Sequence, residues 1–213
     1  LPWIEKKSVQ SKTGNFEVGD IVELKSSGFL RISIIMENLE TDHIMLRGCR
    51  LERTRELNGV LPKKLNELYF NVEIELDDPR PPMEQSMEEF DLAQVLALRK
   101  TRMTNQLFPS CSFRETGEYR DDVVTELSAP CVVRWKYSCK FLNARDRWHN
   151  RWNERSVEHL KQKDLLRGDR QAVVVSDAKV RFRYRGNTIL GGAYPGYPEP
   201  GSTNPSGVTD RQK

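Results

Sequence analysis

The pattern of apolar and polar residues predicts a chain built mainly from short β-strands. In the clearest segment, 66–76, apolar side chains occupy every second position, which is the pattern of a strand with one buried face. Similar segments lie at 16–25, 29–35, 44–53, 96–104, 131–137 and 172–176. Gly48 interrupts the third of these strands, as a bulge would.

Strict alternation also assigns side chains to faces of two strands. In 131–137 it places Val133, Trp135 and Tyr137 on one face, with Arg134 and Lys136 on the other. In 29–35 the residues that share a face are Leu30, Ile32 and Ile34.

Two segments are predicted to be helical. Ser86 and Glu89 have the S-x-x-E spacing of a capping box, so a short helix is expected to begin there and to end near residue 95. The segment 144–166 contains many Arg and Glu residues and no proline or glycine. Gly168 follows it where a helix C-cap would lie.

Composition divides the chain into four parts. Residues 1–15 are polar without a period and are expected to form a flexible leader. We predict a distorted β-barrel over 16–140 and a basic helical extension over 141–190. Residues 191–213 are rich in Gly, Pro and Ser and are expected to form a disordered tail or linker. The predicted fold class is therefore mainly β.

The net charge of the 213 residues is +3, but the charge is unevenly distributed. Nine acidic residues accompany one arginine at 67–91, whereas eleven Lys and Arg accompany five acidic residues at 131–170. Either these are ordinary solvated faces that can neutralise each other, or the basic half binds DNA. Trp148 and Trp152 lie one helical turn apart in the predicted helix. They either dock this helix onto the rest of the domain or face DNA together with the arginines of the same helix. The candidate DNA contacts are Arg145, Arg147, Arg151, Arg155, Lys161, Lys163, Arg181, Arg183 and Arg185.

No catalytic, metal-binding or cofactor-binding residue is predicted. Pro130-Cys131 matches the dipeptide that holds the nucleophile of cytosine-5 methyltransferases, but no glycine-rich cofactor segment or acid motif accompanies it. A buried core cysteine is the favoured interpretation. The three histidines lack zinc-site spacing and are expected to be exposed or lightly packed. No run of about 18 apolar residues is present, so no membrane partner is expected.

Four aromatic residues are candidates for recognition of a histone tail. Tyr69, Trp135, Tyr137 and Phe141 either form a cation–π cage for a methylated lysine or pack the interior. Alternation favours packing for Trp135 and solvent exposure for Tyr69. Tyr137 is also expected to face solvent.

Several segments, in this order, resemble the region that precedes the catalytic domain in fungal cytosine-5 DNA methyltransferases. The most specific stretch is RTRELNGVLPKKLNEL followed by DDPRPP, within 45–82. The other segments are FEVGDIVELK, FLRISII, LALRKTRMTNQLFP, VVRWKY and RYRGNTILGGAY. That region is similar to a bromo-adjacent homology (BAH) domain, which is a chromatin-binding barrel.

The resemblance implies a nuclear, non-catalytic region that positions or regulates a DNA methyltransferase on chromatin through histone-tail or DNA contacts. S-adenosylmethionine and the catalytic residues would then belong to a methyltransferase domain outside these residues, which is itself a possible partner. One alternative is a separate histone reader of a silencing complex. Another is an electrostatic nucleic-acid-binding domain. Oligomeric state is not predicted by any of the three.

Overall fold

The computed structural model describes residues 2–57, 61, 66–105 and 130–165, and the backbone of 181–185 and 188–191. Its strands are β1 (Trp3–Lys6), β2 (Ser8–Ser11), β3 (Gly14–Glu17), β4 (Ile21–Leu24), β5 (Phe29–Asn38), β6 (Ile44–Arg53), β7 (Glu67–Glu75), β8 (Met87–Asp91), β9 (Val95–Arg99), β10 (Thr101–Met103), β11 (Cys131–Phe141), β12 (Glu154–His159), β13 (Arg181–Arg185) and β14 (Thr188–Gly191). Within these described ranges the α-helices are α1 (Pro82–Gln85) and α2 (Ala144–Trp148), and 3₁₀ turns lie at Thr54–Glu56, Leu92–Gln94 and Gln162–Asp164. The predicted strand at 172–176 and the tail from 192 onward lie outside the described residues.

Most strands belong to one mixed sheet. Its hydrogen-bonded order is β14-β13-β12-β11-β7-β6-β5-β4-β9, and β1, β8 and β10 pair with β5, β6 and β11 respectively. β7 and β10 run parallel to β11, while β2 and β3 form a separate antiparallel hairpin. The mainly β class is therefore as predicted, but the strands in the described ranges do not close into a barrel.

Residues 3–17 form the strands β1, β2 and β3, where a flexible leader was expected over 1–15. β1 adds to the sheet by pairing antiparallel with the far end of β5. In the hairpin that follows, Val9 and Phe16 pair and are both buried in the core. The predicted strand at 16–25 is interrupted at Gly19, whose φ of 97° turns the chain between β3 and β4.

The predicted helix after Ser86 is also wrong. α1 lies just before this residue, and the Ser86 hydroxyl donates to the Glu73 carbonyl and accepts from the Glu73 amide, both at 2.8 Å. The serine thus attaches α1 to β7 instead of capping a new helix. Residues 87–91 form β8, which pairs with β6. The predicted strand at 96–104 is present as β9 and β10, which are separated at Lys100.

The predicted helix over 144–166 ends at Trp148. Asn150 adopts a left-handed φ of 52°, which reverses the chain. Glu154–His159 then runs antiparallel to β11 as β12, and Val157 is buried between β11 and β13. Strand pairing and burial outweigh the helical propensity of this Arg- and Glu-rich segment.

A β-bulge at Ser33 changes the faces of β5. Ile32 lies opposite Gly48 and Ile34 opposite Arg47, so Ser33 is an extra residue in the strand. Beyond it Ile35, rather than Ile34, is buried in the core. Gly48, which was interpreted as a bulge of its own strand, instead lies opposite the bulge, whose extra residue is in β5. The predicted shared face of Leu30, Ile32 and Ile34 is wrong at its last residue.

A second bulge at Arg134 has the same effect on β11. Val133 pairs with Leu68 and Trp135 with Tyr69, so Arg134 is the extra residue along the parallel β7–β11 pair. Val133 therefore packs in one core cluster and Trp135 in another, on the opposite face. The prediction that the two share a face is wrong, because an extra residue reverses all the alternation that follows it.

The bulged residue is held by a buried ion pair. The Arg134 guanidinium donates to Glu67 Oε1 at 3.0 Å, and both side chains are almost fully buried. Trp135 Nε1 donates to the other oxygen of the same carboxylate at 3.4 Å. Glu67 at the start of β7 therefore binds two consecutive residues of β11 at the point where its register changes.

The core of the described residues contains three clusters of buried side chains. The larger one includes Leu68, Phe70, Val133 and Leu160, and a second contains Phe16, Leu30, Ile32, Ile35 and Leu46. A smaller cluster contains Leu61, Tyr69, Trp135 and Val157.

Removal of either partner of the Arg134–Glu67 pair is expected to destabilise the fold. Glu67→Gln and Arg134→Met should each lower the free energy of unfolding by about 3 kcal/mol, because the remaining charge is buried without its partner. The double variant should cost less than the sum of the two. Urea unfolding measures all three. Asp78→Asn, in an exposed pair with Arg80, is the control and should change little. Additive effects of the two core substitutions would contradict the coupling.

Gly48→Ala is expected to be destabilising for a steric reason. A Cβ at this position would lie 1.9 Å from the carbonyl oxygen of Arg31 across the bulge. Because the obstructing atom is backbone, the β5–β6 pairing must shift, at a cost of roughly 2 kcal/mol or more. Thermal or urea unfolding would show it. A variant as stable as the parent protein would contradict the register at Ser33.

Candidate binding site

A cavity of about 350 Å³ lies where the two bulged strands approach the segments that cover them. β5, β6 and β11 contribute one wall, the Pro-rich turn and α1 a second, and the 3₁₀ turn before residue 165 a third. The lining residues are Arg31, Ser33, Cys49, Pro81, Pro82, Met83, Glu84, Met87, Lys136, Lys163, Asp164 and Leu165. The bulge at Arg134 contributes to this arrangement, because Lys136 follows it and pairs in register with Phe70 of the larger core cluster.

Buried charges form the most polar part of the cavity. Lys136 Nζ lies 2.6 Å from Asp164 Oδ1, and the Lys161 amide donates to Asp164 Oδ2 at 2.9 Å. Arg31 donates to the Asp164 carbonyl at 3.3 Å, with its guanidinium 5.5 Å from the centre of the Phe70 ring. Both oxygens of the Asp164 carboxylate are therefore engaged by the protein. Asp164 holds Lys136 through its carboxylate and Arg31 through its backbone carbonyl.

The remaining wall is largely apolar and contains one thiol. Met83, Met87 and Leu165 pack against the larger core cluster, and thioether side chains adapt easily to the shape of a ligand. Burial raises the pKa of the Cys49 thiol to about 11, and Cys49 Sγ lies 3.3 Å from the Met83 carbonyl oxygen. At neutral pH this cysteine is thus a neutral, weakly nucleophilic group.

The four aromatic histone-tail candidates lie in two places. Tyr69, Trp135 and Tyr137 belong to or pack against one cluster, in which the two tyrosine rings are 6.0 Å apart and edge to face. Phe141 is buried at the other end of β11, outside that cluster. Tyr69 is 3% exposed, so the expectation that it faces solvent is wrong. Its hydroxyl donates to Glu52, and burial raises the pKa of Tyr69.

Trp135 is fully buried, as alternation favoured, and it stacks on His159 with ring centroids 4.0 Å apart. Neither nitrogen of the His159 ring has a hydrogen-bond partner among the described residues. Burial, together with the nearby Arg134 cation, lowers the pKa of His159 to about 3. The prediction of exposed or lightly packed histidines holds for His43 and His149 and is wrong for His159.

The turn that joins β11 and β12, residues 142–153, presents the most exposed aromatic side chain of the described residues. Trp148 is 87% exposed, and Arg145, His149 and Arg151 around it are exposed as well. The alternative in which both tryptophans dock a helix is therefore wrong for Trp148. Trp152 is partly buried, with the Arg155 guanidinium 4.0 Å from its ring centre.

Hydrogen bonds to the sheet hold this β11–β12 turn. Arg147 donates to Glu73 Oε2 at 2.8 Å and to Glu75 Oε1 at 3.1 Å, both on β7. The Asn143 side chain accepts from the Asp146 amide at 3.0 Å, and the Arg151 amide donates to the Asp146 carbonyl at 2.7 Å. Arg147 is thus paired with the acidic segment, while its neighbours Arg145 and Arg151 are exposed to solvent.

The other predicted DNA contacts are dispersed. Arg155 Nη1 donates to the Tyr137 hydroxyl at 3.5 Å, Lys161 pairs with Glu158 at 2.9 Å, and Lys163 is at the cavity. Positions 181, 183 and 185 alternate along β13, which pairs with β12, and their side chains lie outside the described part. Of the nine candidates the β11–β12 turn brings Arg145, Arg147 and Arg151 together.

The acidic segment at 67–91 is partly neutralised within the fold. Beyond the pairs already described, Glu88 lies 3.6 Å from Arg50, Glu89 lies 3.9 Å from Arg47, and Asp91 lies 2.5 Å from His43. These three partners lie outside the basic part of the chain. Among the described residues, the acidic and basic parts neutralise each other where Arg134 pairs with Glu67 and where Arg147 pairs with Glu73 and Glu75.

The structure also places the residues considered for other chemistry. Cys131 is buried in the larger core cluster, as favoured, and burial raises the pKa of its thiol. Within the described ranges no three His, Cys, Asp or Glu side chains are grouped as a metal would need. No helix there is long and apolar enough to cross a membrane.

Sequence reasoning missed the cavity, although a signal for it existed. Arg31 and Lys136 interrupt strongly apolar strands, and a charge inside such a strand needs a partner or a functional reason. Without knowledge of the β11 bulge, Lys136 could not be assigned to the side of the sheet on which Arg31 lies.

No protein-family model matches this chain, and no curated protein matches it significantly.

The low pKa of His159 predicts a pH-dependent stability. Between pH 6.5 and about 3 the unfolded chain binds a proton at His159 that the folded chain does not. Stability should therefore fall as the pH falls through this window, by at most about 1.4 kcal/mol per pH unit from this residue. His159→Phe keeps an aromatic ring and removes the titration. Urea unfolding at pH 7 and pH 5 should show a smaller loss for the variant. An equal loss for both proteins would exclude a neutral buried imidazole.

Proposed function

We propose that this protein is a DNA-binding module that contacts DNA through its β11–β12 turn. The observation that carries the proposal is the 87% exposure of Trp148, between exposed Arg145 and Arg151. A large aromatic ring so placed has no role in the packing of its own fold. Arginines neutralise phosphates, and an exposed indole offers a surface on which a base can stack.

The attachment of the turn to the sheet supports a role in DNA binding. Because Arg147 is bound to Glu73 and Glu75, the turn is held to the sheet before any ligand binds, so little conformational entropy is lost on binding. The Arg147 guanidinium also neutralises part of the acidic surface of β7. This pairing reduces the repulsion between that surface and the phosphate backbone of DNA.

At a finer level, we propose that the module places a cytosine-5 DNA methyltransferase on chromatin in the nucleus. This part rests on the resemblance of the sequence segments described above to the region that precedes the catalytic domain in that family. The aromatic histone cage receives less support than DNA contact, since Tyr69, Trp135 and Phe141 are buried.

DNA binding by the full chain is expected to depend on the turn and on salt. The double variant Arg145→Glu/Arg151→Glu should weaken binding to duplex DNA at least tenfold, and should reduce the slope of log K against log salt by about 0.9 for each phosphate that is no longer neutralised. Fluorescence anisotropy across a salt series measures both. The matched control is Lys12→Glu/Lys25→Glu, two exposed lysines carried by the β2–β3 hairpin and the end of β4. Affinity that is flat with salt would contradict the proposal.

Trp148→Ala separates stacking from charge in the same assay. The variant should bind single-stranded DNA more weakly by about 1–3 kcal/mol, with a smaller effect on duplex DNA, whose bases are already stacked. Single-stranded DNA should also quench the tryptophan fluorescence of the variant less than that of the parent protein. Unchanged affinity and unchanged quenching would show that Trp148 does not touch DNA.

A further inference from the structure

The cavity beside Arg31 and Lys136 has the composition of a ligand site and is unrelated to the proposed DNA contact. Its volume of about 350 Å³ falls at the small end of the range of known ligand pockets. Prolines and methionines form one side of the cavity, and polar side chains form the other. Sites of this kind bury the apolar part of a ligand and orient the ligand through a charged group.

The charges of the lining favour an anion. Arg31, Lys136 and Lys163 face Glu84 and Asp164, so the cations exceed the carboxylates by one. Asp164 is already engaged through both of its oxygens, and Glu84 is an exposed residue of α1. A cationic ligand would therefore enter a site that already contains buried positive charge, whereas a carboxylate would meet it favourably.

One further group is suited to orient such a ligand. The Ser33 hydroxyl oxygen is buried at the cavity and has no hydrogen-bond partner among the described residues. A buried hydroxyl without a partner costs free energy in the empty protein, and a ligand oxygen that accepts its proton would recover it. Ser33 is also the extra residue of the β5 bulge.

We propose that this cavity binds a carboxylate joined to an apolar group of about the size of a leucine side chain. The apolar group packs against Met83, Met87 and Leu165, while the carboxylate faces Arg31, Lys163 and the Ser33 hydroxyl. Two sources have this chemistry, a free aliphatic acid and the C-terminal residue of a peptide.

The test is an amide NMR titration of the full chain with matched probes. Hexanoate should shift the resonances of Ser33, Cys49 and Leu165 in a saturable manner, whereas hexanol and hexylamine, of the same length, should bind at least fivefold more weakly. A short peptide that ends in leucine is compared with its C-terminal amide. Tighter binding of the free-carboxylate peptide than of hexanoate identifies a peptide terminus as the source, and the reverse order identifies a free acid.

Four variants test whether hexanoate binds in this cavity. Lys163→Glu should weaken hexanoate binding about fivefold, and Glu84→Gln should strengthen it about twofold, since both residues are exposed and change only the charge at the mouth. Met83→Trp should abolish binding by filling the cavity. Lys25→Glu, an exposed lysine at the end of β4, should leave it unchanged.

Equal binding of hexanoate and hexanol, tighter binding of hexylamine, or no saturable shift into the millimolar range would each overturn the proposal. None of these results depends on the β11–β12 turn, so DNA binding can succeed or fail independently of them.

Discussion

The organisation of this fold depends on one extra residue in β11 and on the buried carboxylate that holds it. Arg134 has no partner position on β7, and its guanidinium instead binds Glu67 at 3.0 Å. Two charges buried together are stable only with close geometry and further hydrogen bonds, and here the Trp135 indole supplies one of them. Because an extra residue reverses the faces of a strand, this ion pair decides which side chains of β11 lie on each side of the sheet.

That reversal sets the surroundings of the aromatic cluster and of the cavity. Trp135 is directed to the cluster with Tyr69 and His159, and Lys136 to the cavity with Arg31 and Asp164. The rest of β11 then pairs with β12, so that the connection between them lies at the end of the sheet and is secured by Arg147 on β7. The two surfaces therefore share a scaffold while using different side chains.

Much of the fold was predictable from the local pattern of apolar and polar residues. Alternation located β5, β6, β7 and β11, and composition drew attention to the basic segment that contains Trp148. The bulges were not predictable, because the partner strand decides where an extra residue is accommodated and one sequence does not name its partner. β12 was mistaken for helix for a related reason: its Arg- and Glu-rich sequence has helical propensity, and only pairing with β11 makes it a strand. The side of the sheet on which Lys136 lies depends on the β11 bulge, so the cavity could not be derived without the register.

The register of β7 against β11 is the feature to measure, by nuclear Overhauser contacts between backbone protons of the two strands in the full chain. The contacts should join Val133 with Leu68 and Trp135 with Tyr69, leave Arg134 without an opposite residue, and be accompanied by contacts between the Trp135 and His159 rings. Continuous contacts that place Arg134 opposite Tyr69 would show an unbulged strand, and would remove the basis for both the cavity and the aromatic cluster.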